Sequence, residues 1–238
     1  MRVAHKLEQT LGTPRQASEL PNPLEMLIAT VLSQNTNDKN SHRAYSQMRQ
    51  RFSSWDRVAH APLRSLKSTI RVGGMANQKA SRIKEILAAV KSRYGKYDIS
   101  TLMTKSDADV IEALTELNGV GVKTASCVLL FSLGRDVFPV DTHIHRICSR
   151  LGLVNGKTPE RTFELMRPLI PKGKAYSFHT NLIRFGRKIC RSNKPACEVC
   201  PIYDDCVYDG KKRKSTTRRS VSTADHDFML LDNVQSQS

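Results

Sequence analysis

Two side chains in the middle of the sequence have the types and setting for nucleophilic chemistry at a carbonyl-like carbon. Lys123 follows the glycine pair Gly119 and Gly121 and opens an apolar segment carrying Ala125, Val128, Leu129 and Leu133. That spacing predicts a helix from about 122 to 133 with Lys123 in its first turn. A cation there opposes the helix dipole, which costs stability and tends to lower a lysine pKa. A lysine amine that gives up its proton is a nucleophile and forms Schiff bases with carbonyl-like carbons. A solvated lysine touching phosphate would occupy the same place, and the sequence leaves both roles open. Eighteen residues later Asp141 precedes Thr142 and His143 and a periodic run of Ile144, Ile147, Cys148 and Leu151. It suits a helix N-cap, and as a carboxylate it can also orient a lysine or stabilise a developing cation. The two roles are compatible.

A second group lies near the end: Cys190, Cys197, Cys200 and Cys206, a C-x6-C-x2-C-x5-C run. Such density means ligation or disulfides. The opening MRVAHKLEQT has no apolar run, so no export signal is expected, and thiolates holding zinc or an iron–sulfur cluster are favoured over disulfides. Zinc sites typically use two C-x2-C pairs, whereas here one pair accompanies two single cysteines, which leans toward iron. Cys127 and Cys148 fall in apolar periodic segments and read as buried free thiols. Arg184, Arg187, Lys188, Arg191 and Lys194 enter the cysteine run with no acid among them. They make either a solvated face or a set of phosphate contacts on a loop fixed by ligation.

These groups need elements to hold them. Ser106 and Asp109 have capping-box spacing, and Val110, Ile111, Leu114 and Leu117 follow at helical intervals, so a helix is expected over 107–117. The turn at Gly119-Val120-Gly121 then joins it to the second helix. Glycines permit close backbone approach, and the amides of a helix N-terminus suit a phosphate. Leu24, Leu27, Ile28, Val31 and Leu32 mark another helix, and strand signals are scarce. The expectation is a helical body to about Tyr208, then a basic, disordered tail over 209–238.

The 238 residues carry 38 Lys and Arg against 22 Asp and Glu, a net charge of +16. From Gly210 onward the six cations and three acids account for +3, so the preceding 209 residues carry +13. A basic body points to a polyanion, nucleic acid first, with an acidic membrane surface and a ribosomal or chaperone-like role as competitors. The longest uncharged apolar stretch, Thr124–Gly134, is too short to span a bilayer. No membrane partner is expected.

LNGVGVKTA over 117–125, VDTHIHRICSR over 140–150 and the cysteine run over 190–206, in that order, resemble the endonuclease III family of helix-hairpin-helix DNA glycosylases. The likeness covers roughly residues 20–208. It implies an all-α fold of two helical domains with a DNA-binding cleft between them: a six-helix barrel over 24–135, holding the hairpin at 107–133, and an iron–sulfur domain from 1–23 plus 136–208. It implies Lys123 as the catalytic lysine, Asp141 as the catalytic aspartate and Cys190, Cys197, Cys200 and Cys206 as ligands of a 4Fe-4S cluster. Gln34 or Asn35 falls in the loop that fills the gap left by a flipped base, with Asp38 capping or orienting the next helix. Ile70–Ala80 falls in the intercalating loop. The family often has bulky residues where this chain has Gly73 and Ala76, which leaves Met75 as the apolar wedge. With Gly119, Gly121, Arg187, Lys188, Arg191 and Lys194, these are the expected DNA contacts.

The implied activity is a bifunctional glycosylase and AP lyase that excises oxidised pyrimidines and cleaves 3′ to the abasic site. Its partner would be double-stranded DNA with damaged bases or abasic sites, and the family implies a monomer. The location expected is cytoplasmic and nucleoid-associated in a prokaryote, or nuclear in a eukaryote. The alternatives are a mismatch- or uracil-type glycosylase on the same scaffold and a non-catalytic DNA-binding iron–sulfur paralogue.

Overall fold

The structure, a computed structural model, describes residues 2–211. The expected tail therefore lies outside the described residues from 212 onward. Among the described residues the chain is all helical, with eleven α-helices, short 3-10 turns and no strand. It divides into two compact units, residues 18–135 and residues up to 17 together with 136 onward. No helix among the described residues is long and apolar enough to cross a membrane.

In the unit formed by 18–135, α2 (Pro23–Ser33) begins where the Asn22 side chain accepts from the amides of Leu24 and Glu25, with Pro23 at a first-turn position that needs no amide partner. Of its residues 23–32 only Glu25 escapes full burial. Then come α3 (Asp38–Arg51), α4 (Trp55–His60), α5 (Leu63–Thr69), a 3-10 turn over Arg71–Gly73, α6 (Ala76–Tyr94), α7 (Asp107–Thr115) and α8 (Val122–Ser132). The cap of α3 is Asn37, whose side chain accepts from the Asn40 amide at 2.9 Å. Asp38, the residue expected to cap, sits instead at the first helical position.

The Ser106–Asp109 capping box forms as expected. α7 stops at Thr115, two residues early, because the Leu117 amide bonds to Leu114 O and tightens the last turn into the loop. α8 differs more. Every residue from Thr124 to Ser132 is buried, because α2 packs on it as well as α7, so it is a central helix and not a one-sided amphipathic one.

In the other unit, α1 (Arg2–Leu11) packs on α11 (Ala175–Lys188), and α9 (Thr142–Arg150) lies against both α10 (Pro159–Met166) and α11. Leu7, Ile144, Ile147, Leu182 and Phe185 are among its buried side chains.

Candidate functional site

The hairpin between α7 and α8 closes on two glycines that differ in what they need. Gly119 has φ +78°, and a Cβ there would stand 2.5 Å from Arg82 Cδ. Glycine is required by the chain itself. Gly121 has an ordinary φ of −98°, is exposed, and a Cβ there would meet nothing within 4 Å. Gly121 is the N-cap of α8 and offers its first amides no side-chain acceptor. Lys123 stands half-buried in that first turn and is engaged in an interaction within the fold.

Gln34, at the end of α2, braces this turn. Its Nε2 donates to Gly119 O at 3.1 Å, and its Oε1 accepts from Arg82 Nη1 at 3.3 Å. The next residue, Asn35, is exposed with φ +51°. Gln34 is thus held in the hairpin, while Asn35 faces outward. Met75, at the start of α6, also has a positive φ, +48°, and is 43% exposed. Asn35 Nδ2 reaches Met75 Sδ at 3.5 Å, although forty residues separate them. Gly73 is buried, and a Cβ there would lie 3.0 Å from Ala44 Cβ. A bulky residue has no room at that position, so the glycine at 73 reflects packing against α3.

Lys79 was not among the residues singled out in the sequence. Its side chain is 1% exposed, and Nζ donates to Leu32 O at 2.7 Å and Gly73 O at 2.8 Å. Burial pulls its pKa down to about 8. Periodicity alone assigns such a lysine to a solvated face; only its fall on the same helical face as Ile83 and Ile86 hinted otherwise.

In the other unit, Asp141 caps α9, with Oδ1 accepting from the Ile144 amide at 2.8 Å. The strand of chain leading to it is tied down residue by residue. Asp136 accepts from the amides of Gly173 and Ala175 at 2.6 and 3.1 Å, and Phe138 stacks on Phe178 at 5.4 Å between centroids. His179, buried, donates from Nδ1 to Pro139 O at 2.9 Å. Asp141 therefore projects from a rigid support.

Cys190, Cys197, Cys200 and Cys206 line one cavity, together with apolar side chains of Leu151, Phe185 and Ile202. Arg150 Nη1 donates to Cys190 Sγ at 3.4 Å, and its Nη2 donates to Ser192 O at 3.0 Å. Arg146 Nη2 donates to Cys190 O at 2.9 Å. One face of α9 thus grips the cysteine loop, a role that Arg146 and Arg150 did not show in the sequence. Burial, reinforced by the neighbouring cysteines, pushes the Cys200 thiol up to about 12. Among the described residues no three His, Cys, Asp or Glu side chains converge as they would on a single ion. Cys127 and Cys148 are buried, and burial pushes Cys148 up to about 12. Of the basic residues entering the loop, Arg187 and Lys188 are half-buried and engaged in the last turn of α11, whereas Arg191 and Lys194 are exposed.

Comparison with known proteins agrees with the fold. Residues 28–172 match the model of the HhH-GPD superfamily of base excision DNA repair proteins. Endonuclease III of Thermotoga maritima is 35% identical over 205 residues, covering 86% of this chain and 92% of the relative. Endonuclease III of Sulfolobus acidocaldarius is 33% identical over 190 residues, covering 79% and 82%. A solved structure of a non-covalent endonuclease III–DNA complex superposes with a TM-score of 0.74 at 27% identity, covering 87% of this chain and 92% of that one. With the hairpin, the capped Asp141 and the cysteine loop in this order on an all-helical scaffold, the chain belongs to the endonuclease III family of HhH-GPD base excision repair glycosylases.

Proposed function

We propose that this chain is a bifunctional DNA glycosylase and AP lyase that removes oxidised pyrimidines from double-stranded DNA and cleaves 3′ to the resulting abasic site. The observation that carries this reading is Lys123, an amine in the first turn of α8, directly behind an exposed Gly121 whose helix amides lack a side-chain cap. The amides and the positive end of the helix dipole suit a backbone phosphate, and the glycine leaves room for it. Phosphate bound there would bring the sugar of the same strand to the lysine.

Lys123 Nζ, unprotonated, attacks C1′ of the flipped nucleotide, and the glycosidic C1′–N bond breaks as the base leaves with its electron pair and takes up a proton. Charge develops on the sugar as an oxocarbenium-like transition state. Asp141 is the counter-charge: Oδ1 is occupied by the Ile144 amide, which fixes the carboxylate and leaves Oδ2 for the sugar. Ring opening gives a protonated Schiff base on Lys123. Loss of the C2′ proton then expels the 3′ phosphate by β-elimination, and hydrolysis of the imine returns the free amine. Asn35 and Met75 occupy the gap and the stack beside the flipped base, and Arg187, Lys188, Arg191 and Lys194 contact phosphates.

Cys190, Cys197, Cys200 and Cys206 suit a 4Fe-4S cluster. Four thiols share one cavity with apolar walls and an Arg150 N–H at a sulfur, and four cysteine thiolates are the donor set such a cluster takes. Held by Cys190, Cys197, Cys200 and Cys206, a cluster would supply ligation that fixes the basic loop and would take no part in base excision.

The test is borohydride trapping on a duplex with one thymine glycol, comparing the intact protein with Lys123→Gln. A covalent adduct that requires Lys123 is the expected result. An adduct only on an abasic duplex would move the base preference to mismatched or uracil bases, and none on either would leave a monofunctional or purely DNA-binding protein.

A further inference from the structure

Two loops carry the residues assigned above to the duplex, and each is held at an unfavourable backbone angle. Asn35 and Met75 both have φ near +50°, which side chains other than glycine rarely adopt. Such angles persist where surrounding structure over-determines them. Contact between the tips, Asn35 Nδ2 to Met75 Sδ, is too weak to do so alone. Behind the tips lies one buried group bonded to the chain just before each of them. Lys79 Nζ donates to Leu32 O, three residues before Asn35, and to Gly73 O, two residues before Met75. Leu32 O belongs to the last turn of α2, whose dipole favours a cation. Among the described residues no carboxylate pairs with Lys79, so the amine's bonding is spent on these two carbonyls.

We propose that Lys79 is a positioning residue that clamps the 34–37 and 73–75 loops into one rigid wedge, so that gap filling by Asn35 and intercalation by Met75 occur as a single act. The inference rests on the proposed function for the identity of the duplex partner. It adds that discrimination between duplex and single-stranded lesions depends on a lysine that never touches DNA. A wedge matters only where a complementary strand must be parted, so loosening it leaves single-strand binding intact.

The experiment reads binding, not cleavage. A duplex with a tetrahydrofuran abasic analogue opposite 2-aminopurine reports wedge insertion as a rise in fluorescence, and the analogue-bearing strand alone serves as control. The wild type should raise the fluorescence. Lys79→Met should bind the single strand within about threefold of wild type yet lose about tenfold or more on the duplex together with the rise, as expected when a pre-organised binding element is loosened. Lys79→Arg, which restores a donor, should recover part of the rise. Asn35→Gly and Met75→Gly, both at exposed positions, test the clamp: the tips also touch directly, so their duplex losses should be non-additive with Lys79 intact and closer to additive in the Lys79→Met background. Equal losses of Lys79→Met on both substrates, or strictly additive losses for the Asn35 and Met75 pair, would overturn the proposal. Because no step needs an active lysine, a wild type that inserts its wedge but never cleaves would count against the lyase reading and leave this one standing.

Discussion

The side-chain amide of Gln34 donates to the carbonyl of Gly119 at 3.1 Å, tying the end of α2 to a residue held at φ +78°. The tie separates the two glycines of the hairpin into an internal one and an external one. Gly119→Ala should destabilise the protein by about 1–2 kcal/mol, through the left-handed angle and the clash with Arg82. Gly121→Ala should change stability by less than about 0.5 kcal/mol, since its Cβ meets nothing, while weakening DNA binding. Thermal unfolding and a binding titration on the same two variants check both halves.

Asp141 is expected to separate stability from chemistry. Asparagine keeps an acceptor for the Ile144 amide, so Asp141→Asn should melt close to wild type while losing about 100-fold or more in excision rate. Asp141→Ala should lose the cap as well, at about 1 kcal/mol. Equal activity for wild type and Asp141→Asn would remove the carboxylate from the mechanism.

Lys79 gives stability a pH dependence of definite sign. Its folded pKa of about 8 lies below the ordinary 10.5, so between those values the unfolded chain holds a proton that the folded chain has released. Stability from this group therefore rises with pH across that window and is flat below it. Denaturant unfolding at pH 8 and pH 10 should show the wild type gaining stability relative to Lys79→Met as pH rises, a difference in which the opposing contributions of Cys148 and Cys200 cancel.

For the cysteine loop, the purified protein should be brown with broad visible absorption. Cys197→Ala should lose colour and iron. A colourless wild type holding one zinc per chain would assign the four thiols to that metal instead. Arg150→Met should leave the iron in place at first but speed its loss in air, because the N–H at Cys190 Sγ is gone.

The parts of the fold visible in the sequence are those set by neighbours a few residues away. Ser106 and Asp109, Asp141 with the Ile144 amide, and the periodic apolar residues of α2 are local relationships, and spacing carries them. Asn37 took the cap expected of Asp38 because two polar residues stood side by side, and spacing does not rank them. α1 was missed although Val3, Leu7 and Leu11 recur at four-residue steps. Lys79, the bracing role of Gln34 and the grip of Arg150 were not visible for a different reason: their acceptors, main-chain carbonyls and for Arg150 also the Cys190 sulfur, are brought near by tertiary packing. A sequence shows which donors exist but not which carbonyls will face them.

The order in which the chain is made bears on α1. Residues 18–135 are contiguous and can pack as soon as they are synthesised, whereas α1 must wait for partners at the far end. Glu8 pairs with Lys174 at 3.1 Å and accepts from Ser177, Asn181 donates to Gly12 O, and Lys6 pairs with Asp205 at 2.6 Å. At ribosomal rates of about 5–20 residues per second, the apolar stripe of Val3, Leu7 and Leu11 stands uncovered for roughly 10–40 s after it emerges. During that interval a holdase-type chaperone competes with the rest of the chain for the same face, and slowing translation through the middle of the message should lower the yield of folded protein without altering its final stability.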